Sequence, residues 1–137
     1  MKQFLHSGSI WQKEGLGIIR IVTGFFMIYH GLEIFDTGKI HEYFLWNGFK
    51  NHSSGKILVY AGKAAELTGG LLLLLGMFTR IAAIIIACTM LSISFFVGHG
   101  KIWYEDQHPF LFVLLSLVFF FAGPGKWNVD QLIFKKQ

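Results

Sequence analysis

From Arg80 to Gly98 the chain reads RIAAIIIACTMLSISFFVG, with no charged side chain between its two ends. A helix rises about 1.5 Å per residue, so this run nearly covers the ~30 Å hydrocarbon core of a bilayer. Three other stretches have the same character: GLGIIRIVTGFFMIYHGLEIFD (15–36), KILVYAGKAAELTGGLLLLLG (56–76) and HPFLFVLLSLVFFFAG (108–123). Pro109 suits a first helical turn, and Gly123-Pro124-Gly125 is a hard stop. Only 15% of the residues are charged and 53% are hydrophobic, against about 25% charged in soluble domains. Lipid in place of water around the chain resolves that imbalance. The expected fold is all-α: an integral membrane, antiparallel four-helix bundle in one domain over 1–137.

The links refine the picture. Only MFT joins the second and third spans, which forces a helical hairpin. The first link, 37–55, is long and aromatic, and its HEYFLWNGF core reads as an interfacial segment between helices 1 and 2. Lys2, Lys13, Arg80, Lys126, Lys135 and Lys136, with Arg20 nearby, fall on one side; Lys39, Lys50, Lys56 and Lys101 fall on the other. The positive-inside rule then places both termini in the cytoplasm, in a bacterial inner membrane. Trp11 and Trp127 suit the inner boundary, and Trp46 and Trp103 the outer. The start, MKQFLHSGSIWQKEG, lacks the continuous apolar core of a cleaved signal, so the first helix is expected to serve as signal and anchor. The net charge of +4 is scattered and forms no basic stripe, which argues against nucleic acid.

Charges inside these spans are the informative residues, because each costs about 2.5–3.5 kcal/mol at a helix centre. On the first helix, Ile18, Val22, Phe25 and Tyr29 form a lipid side, while Gly17, Gly24 and Gly31 recur every seven residues on the opposite arc with Arg20, Thr23, Met27 and His30. On the second, Gly62, Glu66, Gly69 and Gly70 share a face, with Lys63 beside it. With the termini inside, His30, Glu33, Lys63, Glu66, His99 and His108 all fall in the outer half. We expect a Glu33–Lys63–Glu66 network there, with His30 and His99 nearby, so that Glu66 meets one of these histidines or takes a proton, since burial disfavours the charged form of a carboxylate. That level is either a ligand pocket or an ion-pair network that fixes helix register. No histidine spacing selects haem or a metal, and neither is expected. Cys88 is the single cysteine, so paired-cysteine quinone-reducing thiol oxidoreductases, which are also four-helix bundles, are excluded.

The stretch GKAAELTGGLLLLLGMFTR resembles the signature of the DoxX family of small four-helix membrane proteins, through Glu66, Gly69, Gly70, Gly76 and Arg80. GPGKWNVD is similar to the family's C-terminal motif, carried by Gly123, Pro124, Gly125, Trp127 and Asp130, with Asn128 in place of Ser. Arg20, Gly24 and Gly31 match landmarks of the first helix. Many members have Lys about two residues after the last of these glycines; this chain has Glu33. The resemblance implies an integral membrane component near quinone-linked redox chemistry. Quinone is then the one candidate cofactor, and the partners to expect are the lipid bilayer, a redox protein and a second copy of the chain. The chain shows no flavin motif, no iron–sulfur cysteines and no catalytic motif of its own. A non-catalytic scaffold or assembly factor is the alternative, ahead of a small-solute transporter, because no inverted repeat stands out.

Overall fold

The computed structural model describes residues 10–134, so Lys2, Lys135, Lys136 and most of the N-terminal stretch considered above lie outside the described residues. Among the described residues every regular element is helical. Helix α1 (Gln12–Gly31) tightens into a 3-10 turn (Leu32–Phe35) and is followed by two short helices, α2 (Thr37–Phe44) and α3 (Asn47–Lys50). Then come α4 (Gly55–Leu75), α5 (Thr79–Ser92) with a π-helical continuation (Ile93–Val97), α6 (Gln107–Ala122) and α7 (Asp130–Phe134). Three of these, Gln12–Phe35, Gly55–Leu75 and Thr79–Val97, are long and apolar enough to cross a membrane, and Gln107–Ala122 is a shorter apolar helix.

Packing follows the small residues. An added Cβ on Gly24 would fall against the backbone of Leu74, and one on Gly31 against the backbone of Leu67. Gly70 meets Met27 and Ile28 in the same way. Partner numbers fall on α4 as they rise on α1, so these two helices run in opposite directions with their backbones in close approach. Gly69 faces Ile85 and Ile86, which seats α5 on the next face of α4. Met27, Leu73, Ala82, Ala83, Ile86, Met90, Phe112, Val113 and Phe119 form the shared core. Ile18, Val22, Phe25 and Tyr29 are exposed, as are Leu114, Leu117, Val118 and Phe121 on α6. A surface this apolar suits lipid.

The segment 123–130 straps the ends of α1 and α4 together around one buried cation. Arg20 is fully buried and donates to five backbone carbonyls: Leu73 (2.5 Å), Leu74 (2.8 Å), Pro124 (2.8 Å), Lys126 (3.3 Å) and Trp127 (2.7 Å). The planar guanidinium, with five N–H groups, is the side chain able to serve so many acceptors at once. Two of those carbonyls belong to the last turn of α4, where helix acceptors lack partners. Gly76 ends that helix in the left-handed region, at φ 64°, and lies directly against the guanidinium, where no side chain fits. Asp130 then caps the next helix. Its carboxylate accepts from the Phe78 and Thr79 backbone N–H groups and from Thr79 Oγ1, placing negative charge at the α5 N-terminus. Arg80, next along, is exposed.

Candidate functional site

The functional candidates gather at the opposite end, where α1 finishes and α4 begins. Gly31 lets α4 approach, and the 3-10 turn after it directs Glu33 inward, where it is nearly buried. Glu33 Oε2 accepts from Lys63 Nζ at 2.9 Å, and Lys63 Nζ also donates to Glu66 Oε2 at 3.0 Å. The lysine thus bridges its own helix and the 3-10 turn that follows α1, pairing with a carboxylate on each. Asp36 caps α2 by accepting from the Gly38 and Lys39 N–H groups. That fixes the short helix so that Lys39 Nζ and Tyr43 OH each donate to Glu33 at 2.6 Å. The Lys63 ammonium also lies 4.6 Å from the Tyr43 ring centroid, a cation–π distance.

Lys39 and Tyr43 belong to the first link, 37–55, Tyr43 within its HEYFLWNGF core, and the expected cluster includes neither. Their i, i+4 spacing, which puts both on one face of a helix just after Glu33, is the signal that could have found them. The hydrogen bond to Glu33 raises the pKa of Lys39 above its usual range. Tyr43 is raised as well, first by burial and then by its bond to Glu33.

Beside this network lies a cavity of about 170 Å³, lined on its polar side by His30, Tyr43, Lys63 and Glu66 and elsewhere by Met27, Trp46, Phe49, Met90 and Pro109, among others. Glu66 is almost fully buried and bonds only Lys63 among the described residues. His30 makes edge-on ring contacts with Tyr29 and His108, at 5.7 and 6.0 Å between centroids, and neither His30 nor His99 bonds Glu66. His108 is exposed, with its ring also against Phe112.

His99 departs from the expected cluster. The π-helical turn ends in an extended Gly98 (ψ −170°), and the buried Asp106 carboxylate accepts from the His99 and Lys101 N–H groups. This clamp bends the chain away, and His99 lines a separate cleft with Leu45, Trp46, Asn47 and Val97. Among the described residues no group of three or more His, Cys, Asp or Glu side chains is placed to hold a metal ion.

Apolar helices with a buried ion network at one end and a buried arginine clasp at the other define a small helical integral membrane protein. The DoxX family profile matches residues 15–99, and the chain belongs to that family. A Haemophilus influenzae protein, described only as "Uncharacterized protein", is 32% identical over 128 residues, covering 88% of this chain and 92% of its own length. No solved structure matches the chain.

Proposed function

We propose that this chain is a membrane subunit or accessory of quinone-linked redox chemistry, and that the cavity beside Lys63 and Glu66 receives the quinone ring. The observation that carries the reading is the hydrogen-bonded Lys63–Glu66 pair, with His30 and Tyr43, on one side of a cavity whose other walls are apolar and aromatic. Ligand sites commonly combine a few fixed polar groups with such walls. An ammonium has three donors, and Lys63 spends two of them on carboxylates. The third serves a ring carbonyl, with His30 as a second polar group and Trp46 as a flat apolar wall. Cys88 is the single cysteine, so the electron partner is the quinone itself or another protein.

The same reading completes the architecture. The four apolar helices form an antiparallel bundle, α2 and α3 lie in the interface, and both termini face the cytoplasm of a bacterial inner membrane. The lysine distribution and the lipid-facing residues support it. The test is purification from bacterial membranes in mild detergent, followed by mass spectrometry of the bound small molecules. Retained quinone that is lost in Lys63→Met or Glu66→Gln supports the proposal. A wild-type protein that holds none, even when supplied with excess quinone, overturns it. One observation favours a scaffold instead: the described buried side-chain polar atoms all have partners, as a purely structural network requires. A stable protein partner with no small molecule is its signature.

A further inference from the structure

Gly62 is the glycine of α4 that packing does not explain. An added Cβ there would meet nothing within 4 Å, whereas at Gly69 and Gly70 it would collide with the neighbouring helices. Glycine is the least favourable helix-interior residue apart from proline, so a glycine facing open space needs another reason. Gly62 lines two neighbouring cavities. The first is the polar one described above. The second, of about 590 Å³, runs between α4 and α5 and is lined by Ala61, Ala65, Cys88, Thr89, Ser92 and Phe96, among others. Phe49, Leu58, Gly62, Ile93 and Val97 line both.

The two cavities differ in chemistry. Lys63, Glu66 and Tyr43 line only the first. The second is walled mainly by alanines, aliphatic and aromatic side chains, the Cys88 thiol and small hydroxyls, with His52, in the link before α4, as its one ionisable imidazole; the Thr89 and Ser92 hydroxyls are already bonded to the Ile85 and Cys88 carbonyls. On α4 it extends from Leu58 to Ala65, about 10 Å along the helix axis. Ile93 and Val97, at the junction, are the two ends of the π-helical segment, a distortion that recurs at functional sites.

We propose that the two cavities are one bipartite site for a single-tailed amphiphile, whose ring occupies the polar cavity while its hydrocarbon tail passes over Gly62 into the groove between α4 and α5. This rests on the quinone reading for the ring and adds the requirement of a tail.

The test uses the full chain in detergent and a decyl-quinone carrying a photoreactive diazirine at the tail end, with crosslinks mapped by peptide mass spectrometry. Crosslinks within 61–65 and 88–96, suppressed by excess unlabelled decyl-quinone, are expected. Binding is measured in parallel for decyl-quinone and for the same ring without a tail. The affinity ratio between them should fall at least ten-fold in Ala65→Phe, or in Ser92→Phe on the opposite wall if the first variant fails to fold. Crosslinks confined to residues around His30 and Trp46, or an unchanged ratio, overturn the tail site and leave the ring reading standing. Crosslinks scattered over lipid-facing positions such as Ile18 and Leu114 overturn it too. If a diazirine fatty acid labels 61–65 and 88–96 and decyl-quinone does not compete, the proposed occupant is wrong and the fault lies in the quinone reading.

Discussion

Replacing Lys63 with methionine removes the bridge between two carboxylates while nearly keeping the side-chain volume. Its weight follows from what remains. Glu33 still holds Lys39 and Tyr43, each at 2.6 Å, so its charge stays compensated. Glu66, with a side chain only 4% exposed, loses its one ionic partner. Breaking a buried pair from one side costs about 3–5 kcal/mol. Because one of the two carboxylates keeps its partners, the low end applies, at about 3 kcal/mol. For a chain of this size each kcal/mol moves the melting temperature by roughly 3–5 °C, so Lys63→Met should melt about 10 °C lower. Lys39, 44% exposed, shares Glu33 with two other donors, and Lys39→Met should shift far less. The double variant Lys63→Met/Glu66→Met removes the orphaned charge and should recover more than half of the loss. The assay is thermal unfolding in mild detergent, followed by tryptophan emission. Equal shifts for the two lysine variants, or a double variant no more stable than Lys63→Met, would refute the reasoning.

Three further outcomes follow from the same structure. Arg20→Lys offers three donors to five carbonyls, so at least two lose their partner at about 1–3 kcal/mol each; limited proteolysis should cut within 123–130 far faster than in the wild type. Gly31→Ala presses a methyl into the Leu67 backbone and should destabilise by about 1–3 kcal/mol, whereas Gly62→Ala meets open space and should stabilise the helix by up to ~1 kcal/mol, both read by the same melts. The raised Lys39 and Tyr43 act in one direction with pH. Both are fully protonated in either state below their ordinary values of 10.5 and 10.0. Above these the unfolded chain loses protons that the folded chain keeps, so stability should fall as pH rises past about 10 and be flat with respect to these two groups at neutral pH. Tyr43→Phe should reduce that alkaline slope.

The apolar runs located the three long helices and the shorter α6 to within about three residues of their observed ends, once the 3-10 and π-helical continuations are counted with α1 and α5, because long stretches poor in charge leave the backbone few alternatives. The pairing of Glu33, Lys63 and Glu66 was also legible. Three charges at one depth in two apolar helices have few partners to choose from. The contribution of α2 was not, since the reach of Lys39 and Tyr43 depends on how Asp36 caps and aims a two-turn helix. His99 misled for a similar reason: its depth was read along an ideal helix, whereas a π turn and the Asp106 clamp bend the chain there. The GPGKWNVD motif was visible as a pattern, but its task was not. Most of what it supplies to Arg20 is backbone oxygen, which every residue carries.

The Arg20 clasp also has a meaning in time. Pro124, whose carbonyl it holds, lies 104 positions further along the chain. At about 5–20 residues synthesised per second, the first helix therefore exists for roughly 5–20 s before the carbonyls of 124–127 emerge. Until then it carries a cation in its apolar length with three of its five carbonyl partners not yet made. Helices inserted in sequence are thus held in a provisional arrangement, and one late segment converts it into the finished one. The strap is the last part of the clasp to be made: a chain that stops before it leaves Arg20 with the Leu73 and Leu74 carbonyls alone.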